Sequence, residues 1–159
     1  SAVIEAGAKP FGMYALNSMR IEKGYRTWKG DLSTDYTLLE GGIERFIKFD
    51  KPQDFPGKAA LLAEKQQGSK KRFVTLIVDT DFADAPYMSS IWHGDKVVGE
   101  TTSGDWGYRI NASIALGMVR SDLAVPGSKL EVEIFGKRCK AIVQNDEALW
   151  DPKNERICA

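Results

Sequence analysis

The chain is poor in the residues on which metal and nucleophile chemistry usually rest. It has one histidine, His93, and a single imidazole excludes a multi-histidine metal centre. Its two cysteines, Cys139 and Cys158, have neither metal-ligand spacing nor a second pair to build a disulfide framework, so each reads as an idle thiol. His93 stands before Gly94-Asp95, the signature of a tight turn, and reads as a surface turn residue rather than a catalytic base. Net charge is also missing. Twenty-two Lys and Arg balance 22 Asp and Glu, leaving no field to draw in nucleic acid or an anionic membrane. No apolar run is long enough for a membrane span, and Ala2-Val3-Ile4 is too short for the core of a secretory signal; the cytoplasm is the expected address. Gly104-Asp105-Trp106-Gly107 lacks the third glycine and the strand-then-helix setting of a phosphate loop. Glu131 and Glu133 pair on what reads as the wet face of a strand, where they solubilise rather than catalyse. From the residues, the catalytic and metal sites are both none.

What is present is an ordinary globular composition, 43% apolar over 159 residues, enough for one real core. Ala2 to Ala8 is short and mildly helical. Met13, Leu16 and Met19 recur at three-residue spacing, with Ala15 and Ile21 widening the stripe and Gly24 as a stop, which predicts a helix from about Met13 to Lys23. Tyr25 to Thr37 mixes Tyr25, Trp28 and Tyr36 with turn residues, a loop that needs a surface to pack on. Leu38 to Phe49 is ambiguous between strand and helix. Asp54-Phe55-Pro56-Gly57 reads as a helix entry capped by Asp54, with Lys58 to Gln67 as its body and Gly68 as its end.

From Phe73 the character turns to β. Phe73 to Val78 is a dense β-branched run, Tyr87 to Trp92 and Lys96 to Thr102 flank a hairpin turn, and Ile114 to Val119 reads as a buried strand. Leu130, Val132 and Ile134 alternate with Glu131 and Glu133, and Cys139 to Gln144 follows a Gly136 turn. Five or six short strands at roughly ten-residue spacing imply a closed or nearly closed antiparallel barrel. There is no internal repeat. These residues alone lead to a soluble α+β domain with a small barrel.

The order of local patterns carries the reading further. Gly12 to Gly24, with Asn17-Ser18-Met19-Arg20-Ile21-Glu22-Lys23-Gly24 at its end, resembles the "Ser-Leu-Arg-Leu-Glu-x-Gly" helix of the glycine-cleavage T-protein (aminomethyltransferase) family. Trp28 and Asp31, Leu39-Glu40-Gly41-Gly42-Ile43, Asp54-Phe55-Pro56-Gly57, Val98 to Gly104, Ile114 to Val119 and Pro126 to Leu130 follow in the family's order. Lys23-Gly24-Tyr25-Arg26-Thr27-Trp28 looks closest to the branch fused to dimethylglycine and sarcosine dehydrogenases. The resemblance implies a partial α/β lobe of the folate-binding domain over residues 1–68 and a small antiparallel Greek-key β-barrel over 69–159. It implies tetrahydrofolate as cofactor, with FAD possible in a further domain upstream, a methylated amine as substrate, and the N-terminal half of the same protein as partner. The family's catalytic carboxylate has no counterpart after Ser1, so the chain reads as the back part of a larger protein and as inactive alone. Its first helix would then expose an apolar stripe.

Four residues are implied as cofactor contacts. Arg72 matches an arginine the family sets near the folate's glutamyl carboxylates, and a guanidinium can pair such groups bidentately. Trp28 matches an aromatic beside the pterin cavity. Tyr108 and Arg109 lie in a Gly-rich loop that could reach the same mouth. Arg20 and Glu22 are expected in an internal ion pair or on backbone groups. Leu16 and Arg45 depart from the family, which has an arginine and a tryptophan there, and put the substrate in doubt. Two other readings stay open: a folate-dependent demethylase of the same fold acting on a sulfonium compound, and a non-catalytic interaction module.

Overall fold

The computed structural model describes residues 2–157; Cys158 lies outside them. Three helices precede six strands: α1 (Ala2–Glu5), α2 (Met13–Glu22), α3 (Lys58–Gln67), β1 (Lys71–Val78), β2 (Ser90–His93), β3 (Lys96–Gly107), β4 (Ala112–Arg120), β5 (Lys129–Ile134) and β6 (Lys137–Val143). The strands close into an antiparallel barrel in the order β1-β4-β3-β2-β5-β6. Consecutive β2, β3 and β4 pair as neighbours, and β1 returns beside β4, which is the Greek key. The α+β class and the barrel are as the sequence led one to expect. The lobe ahead of the barrel is narrower than expected: among its described residues it holds helices and loops, with one isolated bridge, Trp28 to Leu32, and no strand. The ambiguous stretch at 38–49 resolves into turns and a 3-10 helix at Glu44–Phe46. Asp54 does not cap α3. The helix starts at Lys58 behind Gly57, whose φ of +87° lies in the left-handed region, and no side chain caps it.

Burial explains the two strand patterns. Val74, Leu76, Ala115, Val119, Leu130, Val132, Ile134, Ala141 and Val143 fill the barrel interior. Phe73, Ile114, Leu116 and Met118 point outward from β1 and β4 and form a second cluster with Ile21 of α2. β4 is therefore buried on both faces, and reads as a continuous apolar run. β5 has only its inner face covered, and alternates. Glu131 and Glu133 lie on its outer side, where Glu133 accepts from the Trp92 indole at 2.8 Å. His93 is exposed at the hairpin end, and Cys139 is a buried free thiol.

Candidate functional site

α2 is fastened to the outside of β3 by a buried polar seam. Asp31 is fully buried. Its carboxylate accepts from Arg20 Nη1 at 2.8 Å, the Thr27 amide at 2.8 Å, Thr102 Oγ1 at 2.6 Å and Ser103 Oγ at 2.8 Å. Adjacent residues of a regular strand point to opposite faces, yet Thr102 and Ser103 both reach Asp31. The β3–β4 register shifts between Thr101 and Ser103, and this bulge turns both hydroxyls to the same side. Arg20 completes the seam, donating to Ser103 Oγ, Asn17 Oδ1 and the Tyr25 carbonyl. Asn17 in turn donates to Asp105 at 2.7 Å. Each oxygen of the Asp31 carboxylate accepts from two donors, so Arg20 and Asp31 are spent on holding the 25–31 loop against the barrel.

A second clamp joins the C-terminal segment to the end of α2. Glu22 is buried and accepts from the Arg109 amide at 2.6 Å and its guanidinium at 3.4 Å. Lys23 Nζ donates to the Trp150 and Asp151 carbonyls and to Asn154 Oδ1. The Trp150 ring lies under both cations, 4.1 Å from Arg109 and 5.6 Å from Lys23. Arg20 and Glu22 are thus both internal, as expected, but each pairs with a different partner rather than with the other. Residues two apart on a helix point in different directions around its axis and do not face each other, whereas Asp31 on the following loop and Arg109 in the turn after β3 offer one partner to each.

Between this clamp and the start of the barrel lies a cleft of about 720 Å³. Lys23 to Arg26 form one wall, Gly42, Glu44 and Arg45 another, and residues 146–148 and 152–154 the third, with Thr75 at the floor. Arg72 lines a smaller adjoining pocket that shares Gly42, Thr75 and Asp146 with it. Arg72 Nη1 donates to Glu44 at 2.8 Å and to the Leu39 carbonyl at 3.0 Å. Across the loop, Tyr36 donates to Glu100 at 2.8 Å, and burial together with that carboxylate holds its phenol above the usual range.

The four residues singled out in the sequence do not converge. Arg72 pairs in register with Val119, whereas Tyr108 and Arg109 form the turn just before Ala112, at the far end of β4. Seven residues of strand separate those positions, about 23 Å at extended rise. Trp28 has 66% of its surface exposed, on the loop that the Asp31 seam holds. Residues 105–107, expected with Tyr108 and Arg109 in a Gly-rich loop after Gly104, continue strand β3 instead, because they pair with β4 from Ala112 to Ile114. Sequence reasoning passed over Arg26 and Asp146, which meet across the cleft at 3.2 Å from positions 120 residues apart. No local pattern carries that pairing. Among the described residues, no group of three His, Cys, Asp or Glu is placed to hold a metal ion.

Two family models match in order along the chain. The glycine cleavage T-protein C-terminal barrel domain covers residues 71–151, and the GCVT N-terminal domain covers 1–51. Mouse dimethylglycine dehydrogenase, named as mitochondrial, is 44% identical over 99% of this chain, which spans 18% of that relative. An aminomethyltransferase of Prochlorococcus marinus (strain NATL1A) is 31% identical over 89% of the chain, which spans 38% of it. The crystal structure of a glycine cleavage system aminomethyltransferase T from Bartonella henselae superposes with a TM-score of 0.82 at 23% identity, covering 91% of this chain and 40% of that one. The barrel, its helical lobe and the order of both models agree: this chain belongs to the glycine cleavage T-protein family.

Proposed function

We propose that the chain is the C-terminal portion of a tetrahydrofolate-dependent aminomethyltransferase-like protein of the dimethylglycine or sarcosine dehydrogenase type. The parent protein would pass a one-carbon unit from an N-methyl amine to folate. The observation that carries this reading is the 44% identity to mouse dimethylglycine dehydrogenase across 99% of the chain. The chain spans less than a fifth of that relative, so the donor amine, any flavin and the division at residues 68 and 69 belong to the proposal.

Taken one by one, the candidate residues carry chemistry suited to a folate, although they do not share one site. Trp28 offers an exposed ring held on a firmly anchored loop, suited to stacking a flat heterocycle. Arg72 offers a guanidinium to carboxylates at the barrel mouth, at the expense of its contact with Glu44. Tyr108 is an exposed phenol able to add a contact from the far turn. Arg109 acts by positioning, because Glu22 and Trp150 already engage it. When bound, tetrahydrofolate would supply the amine that accepts the one-carbon unit; the role of this chain is to seat and orient it.

Calorimetric titration with tetrahydrofolate tests the reading, first on this chain and then on a longer one that includes the upstream half. Binding is expected in the longer chain, with Trp28→Ala and Arg72→Ala each weakening it about five- to tenfold, the loss of a stacking face or a paired carboxylate contact. No binding to the longer chain would refute the folate reading. Binding that ignores both substitutions would refute the assignment of the contacts.

A further inference from the structure

A groove of about 430 Å³ runs over the outer face of β2, β5 and β6. α2 packs on β3 and β4, so this face lies across the barrel from it. Register explains why the groove exists. Trp92 pairs with Glu131 and Glu131 with Lys140, so these three side chains form one outward row. Lys129 pairs with Ile142 in the next outward row. β2 ends at His93, and where that second row would continue the chain turns at Gly94, which has no side chain to present. The missing neighbour leaves the space open. It also leaves Ile142 46% exposed, an aliphatic side chain on a strand face whose other outward residues, Arg138 and Lys140, are charged.

The charges around the groove are not balanced. Arg138 lies on the far side of Trp92 from it, in the row of Glu133, with its guanidinium 3.8 Å from the indole ring and donating to the Gly94 carbonyl at 3.0 Å. Its Nη1 also stands 3.8 Å from Glu131. Glu131 is thus drawn toward Arg138, away from Lys140, the cation directly opposite it in register. The ammonium groups of Lys129 and Lys140 have no acceptor among the described residues. The Trp92 indole N–H is already taken by Glu133, so the ring is fixed and offers the groove only apolar surface. We propose that this groove binds a small amphipathic anion, a flat apolar body laid between Trp92 and Ile142 with one carboxylate or sulfonate seated between Lys129 and Lys140.

The dimensions set the class of ligand. From Trp92 across β5 to Lys140 is two strand spacings, about 10 Å, the length of a fused two-ring body. The groove's volume falls within the range of small-molecule sites. Lys129 and Lys140 add the apolar stems of their side chains to the walls while their ammonium groups stay at the rim. A cation of the same shape would meet both ammonium groups and find no free carboxylate, since Glu131 is the one acid lining the groove and Arg138 engages it. The groove shares no residue with Trp28, Arg72, Tyr108 or Arg109, so the site stands apart from the folate reading.

The test is an NMR titration of the isotope-labelled chain with 2-naphthoate, compared with 2-naphthylmethylammonium, which has the same body and the opposite charge, and with acetate, which has the charge and no body. Naphthoate is expected to give saturable shifts centred on the amides of residues 92–94, 129–131 and 140–142, and to bind at least about fivefold more tightly than the ammonium compound, the scale of two partly exposed ion pairs. Acetate is expected not to saturate. Ile142→Ser should weaken naphthoate about three- to tenfold through lost apolar contact. Lys129→Glu combined with Lys140→Glu, both at exposed positions, should reverse the preference toward the ammonium compound, an effect that a merely structural role of the lysines does not produce. Absence of saturable shifts, shifts centred elsewhere, an ammonium compound bound as tightly as naphthoate, acetate saturating the same amides, an affinity unmoved by Ile142→Ser, or a preference that survives the double substitution would each overturn the proposal. The groove lies apart from the residues assigned to folate, so failure here leaves that reading standing, and failure of tetrahydrofolate to bind leaves this one.

Discussion

At the scale of single residues, Asp31 and Arg20 show what the family motif does here. A buried carboxylate surrounded by four donors has no place for a further N–H, so the neutral isostere is as poor a fit as a deletion. Asp31→Asn would place an amide donor opposite donors and leave Arg20 with a buried, uncompensated charge. A loss of about 3–5 kcal/mol is expected, the range for breaking a buried ion pair by removing one partner. Urea unfolding monitored by tryptophan fluorescence measures it, and a loss below about 1 kcal/mol would show that the seam is not what holds the loop. Gly104 is constrained by space: a Cβ there would lie 2.0 Å from the Ala85 carbonyl oxygen, so the 83–86 segment can cross β3 only over a residue with no side chain.

At the scale of elements, the helices differ sharply in what they contribute. α2 buries Ser18, Ile21 and Glu22 against the barrel, whereas α1 and α3 bury no residue. α3 is tethered by few side-chain bonds, among them Thr37 and Ser69 to Glu64 at 2.7 and 2.6 Å. Helices this short are marginal without packing. In native-state hydrogen exchange, amides of α1 and α3 are expected to exchange first, those of α2 with the barrel, and those of β4 last, since β4 is covered on both faces. Protection of α3 equal to that of β4 would contradict this ranking.

At the scale of the whole molecule, the lobe and the barrel share a core. Ile21 is fully buried among Phe73, Ile114, Leu116 and Met118, so the second cluster exists only when α2 is docked. Ile21→Ala is expected to cost about 2–5 kcal/mol through lost burial and the cavity left behind, and to lower the midpoint of one cooperative transition without changing its slope. Two separated transitions by circular dichroism and fluorescence would instead mean that the lobe and barrel unfold independently. The other side of the lobe is bare: Phe11, Met13, Tyr14 and Leu16 are exposed along the start of α2, with Tyr14 at 91%. No described helix is long and apolar enough to cross a membrane.

Much of this architecture is local information, and the sequence by itself determined it. The helix over Met13–Glu22, its stop at Gly24, α3, and the strands at Phe73, Ile114 and Leu130 follow from apolar spacing, β-branched runs and glycine turns, because each depends on neighbours a few residues away. Even the outer covering of β4 was legible, since a strand buried on both faces cannot alternate. The tertiary structure decided the rest: that Arg20 meets Asp31 and Ser103 while Glu22 meets Arg109, that a bulge aims Thr102 and Ser103 together, that Arg72 and Tyr108 stand at opposite ends of β4, and that Arg26 faces Asp146. Those relations join residues 11 to 120 positions apart. They are set by barrel closure and by which strands lie side by side; the hydrophobic period along the chain fixes which face a residue takes, not which distant residue lies opposite it.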